Sequence, residues 1–202
     1  MSYRIINGDS AKELKKFNSE SIDAVITDPP YGIEFLAKDW DSNTGAVEIW
    51  QECLRVLKPG GFLLAFSAPR TYHILATNIQ SAGFEIKDQV MWLYSMGFPK
   101  AQQVKGHKGW KTALKPAHEP ICMARKPMKG TTYKNMDKHG IGALNIDATR
   151  IGERFPSNVI GEVNGYQKYF YAPKVSRQER NIGCKDPGPQ FQVPHGFDYR
   201  MP

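Results

Sequence analysis

An α/β fold with a mostly parallel sheet is the class that the sequence predicts. In the first half of the chain, short apolar runs typical of strands alternate with segments of helical periodicity. One run, Phe62–Phe66, is apolar at every position, which is typical of a parallel strand covered on both faces. This alternation predicts parallel strands that are joined by crossover helices packed on both faces of the sheet.

Local signals predict the first elements. Tyr3–Asn7 is predicted to form a short strand. The helix after it begins near Ser10, because Ser10 and Glu13 have the spacing of a capping box. The apolar run Ile22–Thr27 is the next predicted strand, and a long loop follows it.

A helix is predicted over Ala46–Leu57, because its apolar side chains recur at helical spacing. These side chains are Val47, Trp50, Leu54 and Leu57. Lys58-Pro59-Gly60-Gly61 then ends this helix with residues that do not continue one. Pro69 suits the first turn of the next helix, which is expected to end near Gly83.

The second half of the chain is less regular. Phe84–Tyr94 and Pro120–Arg125 are predicted to form a hairpin-like pair of strands separated by an insertion. From Lys126 to about Tyr169 few apolar residues recur at a fixed period, so an irregular region is expected, with Gly140-Ile141-Gly142 as a surface turn. The predicted regions are residues 1–125, 126–169 and 170–202, and the last of them ends in an irregular tail.

Composition indicates one soluble domain, since 41% of the 202 residues are hydrophobic. No apolar stretch approaches the length of a membrane span, and the first residues lack a signal-peptide pattern. We therefore expect a cytoplasmic protein, in a bacterium or a phage-infected cell, that does not contact a membrane. Cys53, Cys122 and Cys184 lie far apart in sequence, which predicts neither a zinc site nor a disulfide framework.

The net charge of +7 is concentrated in one segment. Between Lys100 and His139, ten Lys or Arg residues stand against Glu119 and Asp137, so this segment carries +8. Its basic residues are interleaved with aromatic residues, glycines and prolines and follow no helical period. A surface that binds a polyanion is therefore favoured over an ordinary solvated face.

Asp28-Pro29-Pro30-Tyr31 follows the strand Ile22–Thr27 and is the most informative motif. The Asp28 carboxylate and the Pro29 carbonyl can each accept a hydrogen of an amine, and neither proline has an N–H to compete. Tyr31 offers a flat face on which a base can stack. Two such acceptors favour the pyramidal nitrogen that develops when an aromatic amine attacks a methyl donor. The motif therefore indicates methyl transfer to an amine, at the carboxyl end of a strand where ligands of such sheets bind; a simple turn is the alternative.

Further short segments accompany this motif from Arg4 to about Arg180. They are Asn7-Gly8-Asp9, Lys38-Asp39-Trp40-Asp41, Arg55-Val56-Leu57-Lys58-Pro59-Gly60-Gly61, Arg70-Thr71-Tyr72-His73, Gly97-Phe98-Pro99-Lys100, Ala113-Leu114-Lys115-Pro116-Ala117-His118-Glu119-Pro120, Phe155-Pro156-Ser157-Asn158-Val159-Ile160 and Phe170-Tyr171-Ala172-Pro173-Lys174. With these segments the chain resembles the beta-class DNA amino-methyltransferases, which act on adenine N6 or cytosine N4, and most of all their phage-associated members.

The resemblance implies a Rossmann-like methyltransferase sheet with an antiparallel edge strand. It also implies methyl transfer from S-adenosylmethionine to a base that has left the helix of double-stranded DNA. Asp28, Pro29, Pro30 and Tyr31 would be the catalytic residues, with Asp28 and Pro29 holding the amine and Tyr31 stacking on the base. Asp at the first motif position is more frequent in the adenine enzymes, so adenine N6 is the implied target.

Other residues receive roles from the same resemblance. Phe35 or Trp40 would close over the base, and Lys126, Lys129 and Lys134 would contact DNA from the target-recognition region. Asp28 and Asp9 would line the cofactor pocket. For Asp9, an ordinary role as the residue that begins a helix is equally consistent with the sequence.

Two segments of the family do not occur in this sequence: His-Pro-Thr-x-Lys-Pro and the cofactor loop Asp-Pro-Phe-x-Gly-Ser-Gly. The resemblance therefore implies an incomplete sheet, which a second chain or a homodimer would complete unless the gene product is truncated. A DNA-binding subunit without activity of its own is the alternative function. Methylation of RNA or of a protein glutamine is less favoured, because the glutamine enzymes usually have Asn where Asp28 stands and the dense basic segment favours nucleic acid.

Overall fold

The computed structural model describes residues 3–33, 41, 43–94, 97, 101–150 and 152–161. The chain divides into two compact units, Met1–Glu162 and Val163–Pro202, and all described residues belong to the first unit. The helices are α1 (Ser10–Leu14), α2 (Val47–Val56), α3 (Tyr72–Ser81) and α4 (Thr132–His139), with a short 3₁₀ helix at Asp147–Thr149. The strands are β1 (Ile22–Thr27), β2 (Leu57–Phe66), β3 (Glu85–Leu93), β4 (His118–Arg125) and β5 (Val159–Ile160). No helix within these described ranges is long and apolar enough to span a membrane.

The strands form one mixed sheet in the order β1-β2-β4-β3-β5. β1 pairs with β2 in parallel, and β3 pairs with β5 in parallel. β4 is antiparallel to both of its neighbours, β2 and β3. The predicted α/β class with a mostly parallel sheet is therefore confirmed.

The position of the antiparallel strand differs from the expectation. It was expected at the edge of the sheet, whereas β4 lies between β2 and β3. The helical crossover from β2 through α3 leaves the width of one strand between β2 and β3. The insertion after β3 returns the chain at the same end of the sheet, so β4 runs back antiparallel through this space and pairs on both sides.

The helices α2 and α3 pack on the same face of the sheet. They contact each other and share one apolar core with the sheet. That core contains Trp50, Cys53, Leu57, Leu63, Ala65, Leu75, Ile79, Ala82, Phe84, Cys122 and Ala124. The two helices were expected on opposite faces of the sheet. The chain advances across the sheet in one direction, from β1 to β2 and on to β3, and right-handed crossovers in one direction place their helices on the same face.

The predicted strand Tyr3–Asn7 was wrong, because these residues form no strand. Tyr3 and Ile5 are 89% and 83% exposed, respectively. A strand needs a hydrogen-bonded neighbour, and no described residue pairs with this segment. The helix that follows was predicted correctly in place, but Asp9 is its N-cap: the Asp9 carboxylate accepts the N–H of Ala11 at 2.9 Å.

Helix α4 lies in the region that was expected to be irregular. Its periodic apolar residues are few, and it is held instead by capping and by one buried amide. Thr131 caps its start, and Gly140 ends it in the left-handed conformation at φ 72°. The buried Asn135 donates its Nδ2 hydrogens to the carbonyls of Pro59 at 2.9 Å and of Ile141 at 2.7 Å. Asn135 thereby ties α4 and the turn after it to the start of β2.

Replacement of Asn135 by Ala is expected to lower the free energy of unfolding by about 1–3 kcal/mol, because two carbonyls lose their buried donor. Urea denaturation measures this change. Asp137→Ala, on the exposed side of the same helix, is the matched control and is expected to shift stability by only about 0.5 kcal/mol or less. Equal midpoints for the two variants would contradict a role of the amide in holding α4.

Candidate active site

The ends of four strands meet at one edge of the sheet, which we call the carboxyl edge. Asp28 follows the last residue of β1, and Ser67 follows the last residue of β2. Leu93 ends β3 and pairs with His118, the first residue of β4, because β4 runs in the opposite direction. The carboxyl edge therefore combines the predicted catalytic motif with the start of the antiparallel strand.

The buried Asp41 fixes the backbone of the motif. Its Oδ1 accepts the N–H of Tyr31 at 2.6 Å and the N–H of Gly32 at 3.1 Å. Asp41 is only 2% exposed, so these bonds are shielded from water. Gly32 has φ 63°, and a Cβ there would lie 3.2 Å from the Thr44 side chain. The turn after the two prolines is therefore held in one conformation.

The far end of Tyr31 is held by β4. The Tyr31 hydroxyl donates to Glu119 Oε2 at 2.9 Å, across 88 residues of sequence. Burial raises the pKa of Tyr31 far above its usual range, and the nearby carboxylates of Asp28 and Glu119 add to this effect. The phenol therefore remains a neutral donor at physiological pH.

Aromatic side chains stand beside Glu119 on the same part of the sheet. Trp92 pairs with Glu119 in the register of β3 and β4. The Trp92 ring contacts Phe66 edge to face at 6.2 Å between centroids and contacts Tyr94 at 5.6 Å. Burial, followed by the charge of Glu119, raises the pKa of Tyr94. The carboxyl edge thus presents carboxylates beside a row of aromatic rings, a combination suited to a flat ligand with amine hydrogens.

Two further contacts tie the neighbouring loops to this edge. Asn78 on α3 donates to Thr44 Oγ1 at 3.3 Å and to the Gly45 carbonyl at 3.1 Å. Arg70, in the loop after β2, donates to the Ile33 carbonyl at 3.1 Å. The chain on both sides of Asp41 is therefore attached to elements that belong to the core.

The predicted site residues fall into separate groups. Asp28, Pro29, Pro30 and Tyr31 lie together at the carboxyl edge. Asp9 caps α1 with its carboxylate, which is the structural interpretation of that residue. Phe35 and Trp40 lie outside the described residues.

The predicted DNA-contacting lysines lie toward the opposite edge of the sheet. Lys126 follows the last residue of β4, and a strand of this length places it roughly 20–25 Å from the carboxyl edge. Its side chain is 15% exposed, and its Nζ donates to the Leu57 carbonyl at 2.8 Å and lies 3.6 Å from Glu20 Oε1. Lys129 and Lys134 are exposed. Lys126 therefore binds its own chain, whereas the other two lysines stay predicted DNA contacts.

Sequence reasoning did not assign Asp41 or Glu119 to the site. Both residues lie in segments that carried the family resemblance, which is the signal that could have identified them. Their partners, however, are set by the tertiary fold. Asp41 contacts a backbone 10 residues away, and Glu119 contacts a hydroxyl that only the antiparallel position of β4 brings near.

Comparisons with known proteins show which family the chain resembles. Residues 22–171 match the DNA methylase family. The type II methyltransferase M.HindIII of Haemophilus influenzae is 30% identical over 70% of this chain and 64% of its own length. The DNA adenine methyltransferase YhdJ of Escherichia coli is 31% identical over 64% of this chain and 43% of its own length. The matched part of the chain thus spans between 43% and 64% of the length of these relatives.

Solved structures are similar at lower identity. The PvuII DNA methyltransferase, described as cytosine-N4-specific, is 19% identical with a TM-score of 0.47, over 76% of this chain and 54% of that one. The DNA modification methylase TTHA0409 of Thermus thermophilus, complexed with S-adenosyl-L-methionine, is 23% identical with a TM-score of 0.43, over 65% and 57% of the two chains. The family match covers most of the present sequence, from β1 past β5. The chain therefore belongs to the DNA methylase family.

Proposed function

We propose that this chain methylates the exocyclic amine of a base in double-stranded DNA, with adenine N6 as the target and S-adenosylmethionine as the donor. One observation carries the proposal: the Tyr31 hydroxyl is bound by Glu119 at 2.9 Å, beside the Asp28 carboxylate at the carboxyl edge. A tyrosine hydroxyl has one proton and can donate it to only one carboxylate at a time. With that proton on Glu119, Asp28 keeps its acceptor capacity for an amine.

The described residues support the acceptor half of this reaction. Asp28 and the carbonyl of Pro29 each take one hydrogen of the amine, which favours the pyramidal nitrogen of the transition state. Tyr31 stacks on the base, and its ring is fixed at the backbone by Asp41 and at the hydroxyl by Glu119. Such fixation lowers the cost of orienting the nitrogen toward the methyl group.

S-adenosylmethionine fits the chemistry of this edge only in part. When bound, it supplies a methyl group on a sulfonium, and the protein's task is to align the acceptor with it. Asp28 is exposed where the chain leaves β1, and we propose that it borders the donor. Asp9 stays a proposed second contact. A glycine-rich cofactor loop does not occur in the sequence, so the described residues form one wall of a donor site.

Adenine is the proposed target because Asp28 stands at the first motif position. The named relatives include an adenine enzyme, YhdJ, and a cytosine-N4 enzyme, that of PvuII. Mass spectrometry of nucleosides from DNA modified by the complete enzyme decides between them. N6-methyladenine supports the proposal, and N4-methylcytosine overturns this part of it.

Asp28→Ala is expected to abolish methyl transfer by the active assembly while leaving DNA affinity within a few-fold of the parent. The reason is that the carboxylate accepts an amine hydrogen and does not cap a structural element. Transfer of a labelled methyl group to duplex DNA measures turnover, and fluorescence anisotropy measures affinity. A folded variant that keeps more than about a tenth of the parent turnover would contradict the proposed role.

Glu119→Ala is expected to slow turnover by about 10- to 100-fold, because the freed Tyr31 hydroxyl then donates to Asp28 and occupies the amine acceptor. Glu119→Gln keeps a side-chain acceptor and should lose much less. The informative variant is Glu119→Ala combined with Tyr31→Phe, which removes the competing hydroxyl and should recover part of the lost turnover. A double variant slower than Glu119→Ala alone would show that Glu119 acts in some other way.

A second chain, or a second copy of this one, is proposed to complete the donor site. β1 ends the described sheet on its side, and Ile26 on this strand is 72% exposed. The purified 202-residue chain is therefore expected to bind S-adenosylmethionine weakly, because one-sided contact rarely offsets the cost of association. Calorimetry with and without a chain that carries the cofactor loop provides the measurement. Micromolar one-to-one binding by the monomer would show that the 202 residues complete the site by themselves.

A further inference from the structure

We propose that the segment between β3 and β4, residues 101–117, contacts the phosphates of DNA beside the carboxyl edge. We call this segment the basic insertion. The inference rests on the proposed function, since it names where the same DNA substrate would be held. The sequence-based expectation was a polyanion-binding surface anywhere between Lys100 and His139, with Lys126, Lys129 and Lys134 as the named DNA contacts, and the inference narrows this to the part before β4.

The charged Lys, Arg, Asp and Glu residues of the basic insertion are all lysines. It contains Lys105, Lys108, Lys111 and Lys115 and has no Asp or Glu. Apart from Ala101 and Pro116, its residues are exposed. The exposed cations Lys105, Lys108 and Lys111 lie close together in sequence and repel one another, and a polyanionic partner relieves that repulsion.

The tip of the insertion is ordered by its own hydrogen bonds. Gln103 and Lys111 form an antiparallel bridge, and the Val104 N–H donates to the Trp110 carbonyl at 3.1 Å. Gln103 also donates its Nε2 hydrogen to the His107 carbonyl at 2.6 Å. This hairpin presents Lys105 and Lys108 at a fixed turn, so less conformational entropy is lost when they meet phosphates.

An exposed tryptophan lies within this charged hairpin. Trp110 is 71% exposed between Lys108 and Lys111, and Leu114 nearby is 91% exposed. Proteins that bind unpaired bases use exposed aromatic side chains flanked by basic residues, on which the bases stack. A base that leaves the helix for Asp28 opens a gap in the duplex, and an aromatic side chain close by can stabilise the neighbours of that gap.

The fold attaches the insertion to the catalytic edge. Tyr94 donates its N–H to the Ala117 carbonyl at 3.0 Å, and Leu93 pairs with His118, so the end of the basic insertion lies at the carboxyl edge. A flipped nucleotide stays linked to its strand, and its flanking phosphates therefore stay near Asp28. Ala117 is at that edge, whereas Lys126 is roughly 20–25 Å away across the sheet.

The test is a salt titration of duplex binding by the full chain. Lys105→Glu with Lys108→Glu is compared with Lys12→Glu with Lys15→Glu on α1, which changes the net charge equally at exposed residues away from the insertion. Fluorescence anisotropy with a labelled duplex needs no methyl donor. The insertion variant is expected to lose about ten-fold or more in affinity and about two units of the slope of log affinity against log salt, and the α1 variant is expected to keep both.

Trp110→Ala separates stacking from charge. It is expected to weaken binding by about five-fold or more to a duplex with one unpaired base, with an unchanged salt slope, because stacking does not release counterions. Leu114→Ala is the matched exposed apolar control and should have little effect. Urea midpoints equal to the parent exclude unfolding as the cause in every variant.

The outcomes distinguish this inference from the proposed function. If the parent binds duplex DNA and the insertion variant retains its affinity and slope, or if both charge variants weaken equally, the inference is overturned while methylation by the complete enzyme still tests the function. If the parent does not bind duplex DNA at any salt concentration, both the inference and the proposed function are overturned. Loss confined to the insertion variants supports the inference.

Discussion

The antiparallel pairing of β4 between β2 and β3 is the constraint on which the site depends. It brings the start of β4 to the edge where the parallel strands end, so that Glu119 meets the hydroxyl of Tyr31. The same pairing places Ala117, the end of the basic insertion, at that edge. A parallel strand in this place would put Glu119 at the other end of the sheet, and the tyrosine hydroxyl would have only Asp28 as an acceptor.

The carboxylates of Asp28 and Glu119 lie beside the phenol of Tyr31. We propose that Glu119, by accepting the phenol proton, serves to position Tyr31 and leaves Asp28 for the substrate amine. The buried Asp41 adds a third acidic group, but its Oδ1 faces backbone N–H groups. The three carboxylates therefore have different surroundings, and Asp28 is the exposed one that follows β1 directly.

Sequence patterns predicted the elements whose stability is local or depends on burial. β1, β3, α2 and α3 were placed correctly, because apolar periodicity and turn residues carry that information. β2 begins at Leu57, before the predicted Phe62, because Lys58–Gly61 belong to the strand and not to a loop after the helix. Tyr3–Asn7 failed because pairing with another strand decides its structure. α4 was missed because the buried amide of Asn135 and its caps, rather than an apolar stripe, hold it. Within the site, Asp28 and Tyr31 were evident from a contiguous motif, but the partners of Tyr31 depend on long-range contacts that a local pattern does not encode.

The side of β1 that no described strand pairs with lies next to Asp28, so completion of the sheet bears on the proposed methyl transfer. Parallel strands are stable when covered, yet in the described part of the chain β1 has β2 as its one neighbour and exposes Ile26. Asp28 leaves this same strand, so any strand that pairs with the outer side of β1 also borders the Asp28 carboxylate. In the proposed reaction the methyl group approaches the nitrogen from a fixed direction, and the donor then needs a wall beside Asp28. We therefore propose that one strand added beside β1 would both cover β1 and help to orient the donor.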